Sequence, residues 1–147
     1  MDQSGALLAL ARARDPSGTW IDGTIEDFTT TERFAGIVCW DALFHVARAH
    51  HAALLARFAR MLESDGRLML TVGGSAHPAF TDMMFGETFF YDSHPPGEVL
   101  SMLRREGFEL LVSELMNVPT GGRDKGRHAI VARLPEGRRR SGASPDD

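Results

Sequence analysis

The seven-residue run Phe34-Ala35-Gly36-Ile37-Val38-Cys39-Trp40 is apolar almost throughout. An amphipathic strand would alternate, so a run of this kind suits a strand covered on both faces, as in a parallel sheet. Arg67-Leu68-Met69-Leu70-Thr71-Val72 reads the same way. Between them, Arg48 to Leu62 places Ala52, Leu55, Ala59 and Leu62 at spacings of three and four, the period of a helix face. Strand, helix and strand in that order predict a parallel, doubly wound α/β sheet. At 147 residues the chain has room for one such domain and one core.

The flanking segments extend the pattern. Gly5 to Arg14 is rich in Ala and Leu, with Ser4 placed to cap the helix and Arg12 and Arg14 placed at its negative end. Asp15-Pro16-Ser17-Gly18 ends it in a turn, and Thr19 to Asp22 is β-prone and predicted as a short strand. Asp65-Gly66 is expected to turn the chain into the Arg67 strand. Gly73 to Ser93 is irregular and is expected to be a long functional loop or substrate cap with a short helix. Pro95-Pro96 opens a helix that runs to Glu106 and closes at Gly107. Phe108 to Leu115 and His128 to Leu134 are predicted strands. Lacking a helix between them, and joined through Pro119-Thr120-Gly121-Gly122, they form an antiparallel pair. Residues 1–134 are expected to be the folded part, and 135–147 a polar, disordered tail.

Charge and composition exclude several functions. A net charge of -4 offers nothing global to a nucleic acid, and Arg138-Arg139-Arg140 reads as a solvated end. No apolar stretch approaches the roughly 20 residues of a membrane-spanning helix. The single cysteine, Cys39, precludes an internal disulfide and fits a reducing compartment. With the polar start Asp2-Gln3-Ser4 in place of a signal peptide, a cytoplasmic protein is expected. His50 and His51 are neighbours and cannot form an i, i+4 ligand pair, so no metal site is expected. Neither a G-x-S-x-G elbow nor a phosphate-binding glycine loop is present.

Five segments, in order, resemble a class I S-adenosylmethionine-dependent methyltransferase. Asp2-Gln3-Ser4 with Leu8 to Arg12 resembles the motif D-x-S-x-x-(M/L)-x-x-A-R that follows the family's second strand. Trp20 to Phe28 resembles its third-strand segment, and Phe34 to His45 its fourth strand and following turn, F-D-x-I-x-x-x-D-x-L-x-H. Phe58 to Leu62 with Asp65 to Leu70 resembles the helix and turn feeding the fifth strand, and Leu103 to Glu109 the start of the sixth. The resemblance covers about residues 2 to 134. It implies a Rossmann-like, mostly parallel sheet with helices on both faces and an antiparallel edge pair. The family's glycine-rich E/D-x-G-x-G-x-G turn has no counterpart here, so the fold is expected to be incomplete at the N-terminus and cofactor binding weak or lost.

By that resemblance the cofactor is S-adenosylmethionine and the partner a small-molecule methyl acceptor. Asp2 would accept from the ribose hydroxyls, and Gly23, Thr24 and Ile25 would border the adenine, with Thr24 standing where the family has an Asp. Glu26 and Asp27 read as solvated loop acids. Trp40 packs either on the cofactor or in the core. Asp41 either orients the acceptor, acts as general base, or serves as a turn or cap residue, and His45 is a second base or a structural histidine. Phe85, Phe89, Phe90 and Tyr91 either line an acceptor pocket or cover the sheet end. The competing reading is a non-catalytic interaction or regulatory module. There an exposed strand edge pairs with another chain, as a homodimer or with a complementing N-terminal segment.

Overall fold

The computed structural model describes residues 1–120 and 124–137. Gly121 and Gly122 of the predicted linker, and residues 138–147 of the predicted tail, lie outside the described residues. The chain divides into two compact units, Met1–Thr31 and Glu32–Asp147.

In the first unit, α1 (Gly5–Arg14) starts at Ser4, whose hydroxyl accepts from the Leu7 amide. The predicted Thr19–Asp22 strand reduces to a single parallel bridge, Asp2 to Asp22. Only Asp2 lies opposite this segment, and one residue cannot carry a ladder.

The second unit contains β1 (Phe34–Cys39), α2 (His51–Met61), β2 (Leu62–Gly73), β3 (Phe80–Met84), β4 (Glu87–Tyr91), α3 (Pro96–Arg105), β5 (Glu109–Asn117) and β6 (Arg127–Arg133). Two short 3-10 turns, Leu43–His45 and Arg48–His50, join β1 to α2. The main sheet has the order β1-β2-β6-β5. β1 and β2 are parallel, and β6 runs antiparallel to both β2 and β5. Strands β1, β2 and β5 therefore share one direction, with β6 inserted in reverse, and the expected antiparallel pair is β5–β6.

Register sorts the side chains onto two faces, because directly paired residues point the same way. Cys39, Leu70, Ile130 and Ser113 form one cross-strand row, and Ile37, Leu68, Ala132 and Leu110 another. Leu68, Leu70, Val72, Ile130 and Ala132 are fully buried there. Both α2 and α3 pack against β2 and against each other. α2 buries His51, Leu54, Leu55, Phe58 and Met61. The expected stripe through Ala52 and Ala59 is displaced by this bulkier one, since each large apolar side chain buried contributes about 1.5–3 kcal/mol. On the opposite face, Val38, Met69, Val131 and Val112 form a continuous row across all four strands. Val38, Met69 and Val112 in it are exposed.

Two further expectations are corrected. β2 starts at Leu62, and Asp65, with φ 64°, sits inside the strand. The register jumps there from Phe34–Leu62 to Gly36–Arg67, so Asp65-Gly66 forms a bulge and not a turn between elements. The segment Gly73–Ser93 contains no helix. It folds as the β3–β4 hairpin, reversed at Phe85-Gly86, both at positive φ. The helix expected after Pro95-Pro96 is present, and Gly107 follows it at φ 92°, the left-handed stop that a side chain would resist.

Candidate active site

A cavity of about 480 Å³ opens at the carboxyl ends of β1 and β2, between the sheet and the β3–β4 hairpin. Asp41, Phe44 and His45 line it from the chain after β1, Phe80 and Tyr91 from the hairpin, and Arg127 from β6. A second cavity of about 570 Å³, bordered by Arg33, Arg60, Glu63 and Glu106, lies at the other end of the strands. In sheets of this kind ligands bind outside the carboxyl ends, so the smaller cavity is the candidate site.

Asp41 is held, not free. Its backbone has φ 48°, and its amide donates to the Thr71 hydroxyl at 2.7 Å. That hydroxyl donates to Asp41 Oδ1 at 3.1 Å, and Arg127 Nη1 donates to Asp41 Oδ2 at 2.5 Å. The cap reading of Asp41 fails, because Ala42 precedes the following 3-10 turn and no side chain caps it. Thr71 is fully buried and its hydroxyl serves two partners at once, so it fixes the end of β1 against β2.

His45 Nδ1 lies 2.9 Å from the Phe90 carbonyl. A carbonyl only accepts, so Nδ1 carries the proton and Nε2 of the neutral ring keeps a lone pair. The ring is flanked by Phe44, Phe89 and Tyr91, with centroids 4.8–5.4 Å away. Tyr91 in turn stacks between Phe44 and Phe80, at 6.3 and 5.1 Å. Of the four aromatics expected near the site, Tyr91 lines the cavity and Phe89 touches His45. Phe85, at the hairpin tip, is 95% exposed, and Phe90 shares the outward face with Thr81.

Behind the hairpin lies a polar cluster that the sequence did not reveal. The Asp92 carboxylate is buried; its oxygens accept from the Arg48 amide at 2.8 Å and from Arg48 Nε at 2.5 Å. Burial pushes the Asp92 pKa up, but the Arg48 hydrogen bonds and charge outweigh it and hold the group below its usual value. His51 is fully buried and donates from Nε2 to the Val46 carbonyl; burial pulls its pKa down. Cys39, also buried, has its thiol pushed up to about 11.

In the first unit Asp2 and Gly23 are neighbours. The Asp2 amide donates to the Ile21 carbonyl and the Gly23 amide to the Asp2 carbonyl, each at 3.1 Å. Asp2 Oδ1 accepts from the Ser4 amide at 2.7 Å. A Cβ built on Gly23 would meet nothing within 4 Å, so the space before this loop is open. Ile25 follows in the same turn. The Thr24 hydroxyl donates to Asp27 Oδ2 at 2.7 Å, which makes Asp27 a structural partner and not simply a solvated acid. Trp40, just past β1, is 40% exposed, which removes the core reading of that residue.

Asp41 and His45, the two candidates for chemistry, line one cavity; Thr71, Arg127, Arg48 and Asp92 stand with them without having been singled out by the sequence. Arg127 had a usable signal: antiparallel pairing of the last strand with β2 puts Arg127 opposite Gly73, at the strand end where Asp41 lies.

Solved S-adenosylmethionine-dependent methyltransferases share this fold. A 1,6-didemethyltoxoflavin-N1-methyltransferase from Burkholderia thailandensis, bound to 1,6-didemethyltoxoflavin and S-adenosylhomocysteine, superposes with a TM-score of 0.65 at 20% identity, over 90% of this chain and 57% of that one. A putative S-adenosylmethionine-dependent methyltransferase from Listeria monocytogenes gives 0.70 at 15% identity, covering 91% and 78%. The N-methyltransferase NodS from Bradyrhizobium japonicum WM9 gives 0.61 at 16%, covering 92% and 71%. The chain thus spans little more than half of the first of these proteins and about three quarters of the other two. No protein-family model and no curated protein sequence matches the chain. Among the described residues, no helix is long and apolar enough to cross a membrane.

Proposed function

We propose that this chain carries the methyl-acceptor side of an S-adenosylmethionine-dependent methyltransferase, acting on a nitrogen of a small molecule. The observation that carries the reading is His45. It stands at the carboxyl end of the sheet, in a cavity walled by Tyr91 and Phe80, with Nδ1 donating to the Phe90 carbonyl and Nε2 the other ring nitrogen. The N-methyl transfer named for two of the similar structures favours nitrogen.

The bound cofactor would supply an electrophilic methyl group. In the first unit, Asp2 would accept from ribose hydroxyls and Gly23, Thr24 and Ile25 would border the adenine, a reading supported by the open space at Gly23. His45 Nε2 would take the N–H proton of an acceptor nitrogen that receives the methyl group, the donor's C–S bond breaking, with its electrons leaving on sulfur, as the N–C bond forms. Asp41, committed to Arg127 and Thr71, positions the cavity floor and is not the base. Holding acceptor and donor in line is the main work of such a site. A cytoplasmic location belongs to the same proposal, supported by the lone, free cysteine.

Titration calorimetry with S-adenosylmethionine tests the cofactor side. Residues 1–147 contain no glycine-rich E/D-x-G-x-G-x-G turn, so this chain by itself is expected to bind weakly or not at all, and micromolar affinity would overturn that. For the acceptor side, His45→Ala in any methyl-transferring form should lower kcat by about 10²–10⁴-fold. An unchanged rate would remove His45 from the chemistry.

A second reading is a module that pairs with another chain, as a dimer or with a complementing N-terminal segment. The exposed row Val38, Met69 and Val112 supports it, because an apolar row on one sheet face gains from a cover. Light scattering coupled to size exclusion separates the two: a strict monomer at high concentration counts against self-pairing.

A further inference from the structure

The two ends of the β3–β4 hairpin meet at one side chain. Arg48, in the 3-10 turn before α2, donates from Nη2 to the His77 carbonyl at 2.5 Å, where the chain departs for β3. It also donates from Nε to Asp92 Oδ1 at 2.5 Å, directly after β4, while its own amide donates to Oδ2. An isolated two-stranded hairpin is marginal in water, so its placement depends on such ties. Other anchors include the Asp92 amide, which donates to the Phe44 carbonyl, and His45 Nδ1, which donates to the Phe90 carbonyl, each at 2.9 Å on the β4 side, and Lys125 Nζ, 5.7 Å from the Phe80 ring centroid on the β3 side.

We propose that Arg48 is the positioning residue of the acceptor pocket, a bracket that closes both roots of the hairpin and thereby sets Phe80 and Tyr91, and the tautomer of His45, against the sheet. Its service to an acceptor rests on the function proposed above; its hold on the hairpin does not. Guanidinium geometry explains the residue type. A planar fork presents separate N–H groups to the carboxylate and to the carbonyl, whereas a lysine ammonium is a single point on a flexible stem. The Asp92 carboxylate is buried, so the pair is dry on one side and steady.

Nitrogen-15 NMR of the His45 ring, at about pH 8 where imidazole is neutral, reads the tautomer without any cofactor or acceptor. Amide exchange over residues 80–91, against β2 and β6 as internal controls, reads the hairpin. The intact protein is expected to hold the Nδ1–H tautomer. Arg48→Lys is expected to mix the tautomers and to speed hairpin exchange about tenfold with β2 and β6 unchanged. The double variant Arg48→Ala with Asp92→Asn, which leaves no buried charge unpaired, should do the same more strongly. A retained tautomer with unchanged hairpin exchange in both variants would overturn the proposal. So would exchange that rises equally in hairpin and sheet, or an Arg48→Lys protein that does not fold, since either makes Arg48 a support of the whole unit. Failure here leaves the methyl-transfer reading standing, and failure of that reading leaves these signals in place.

Discussion

Two glycine-to-alanine changes of identical chemistry should move stability in opposite directions. Gly74 follows β2, and its amide donates to the Gly126 carbonyl at 3.0 Å. A Cβ added there would lie 2.9 Å from the Gly126 carbonyl carbon and 3.0 Å from Arg127 N, both backbone atoms that cannot rotate aside. Relief requires the ends of β2 and β6 to part by several tenths of an ångström. Overpacking of this kind costs about 1–3 kcal/mol. The stretched hydrogen bond removes about 1 kcal/mol more. Gly74→Ala should therefore lose about 2–4 kcal/mol, and because Arg127 moves with the strand, the Arg127–Asp41 pair at the cavity floor loosens with it. Gly97, in the first turn of α3, has nothing within 4 Å of an added Cβ. Gly97→Ala should gain about 0.4–1 kcal/mol by restricting the unfolded chain. Urea unfolding followed by circular dichroism measures both. A Gly74→Ala protein within about 0.5 kcal/mol of the parent would refute the claim that backbone contact fixes this end of the sheet.

Other consequences follow from single groups. Asp92 has a folded pKa below its ordinary 3.8, so its contribution to stability is complete above the unfolded value and disappears as pH falls through the lower folded one. The parent should lose stability over that acidic window, and Asp92→Asn, measured by chemical denaturation from pH 6 downward, should lose less across it. Thr71→Val keeps the shape but leaves the Asp41 amide without its acceptor, which should cost about 1–3 kcal/mol by the same denaturation assay. With its thiol at about 11, Cys39 is thiolate in only about one molecule in a thousand at pH 8. Labelling with a colorimetric disulfide reagent should be slow in the native protein and immediate in denaturant.

What the sequence made legible was whatever depends on local period. The Phe34 strand declared itself by its unbroken apolar run, and the Pro96 helix by its paired prolines and closing glycine. Hidden features depend on contacts between distant residues. Asp41 meets Thr71 across 30 residues and Arg127 across 86, and no spacing rule links them. The hairpin was hard to read because its β3 and β4 residues are only partly buried, so neither face carries the alternation that marks a strand. Within α2, equal apolar labels on Ala52 and Leu54 concealed which side would turn inward; volume decided it.

Because the hairpin's two roots come together at Arg48, its length is decoupled from the architecture beneath. Insertions or exchanges at its solvent tip, around the exposed Phe85 and Gly86, are expected to leave the strands of the main sheet unaltered. A scaffold built this way can acquire a new choice of guest by redrawing one exposed ribbon while its foundation is inherited unchanged.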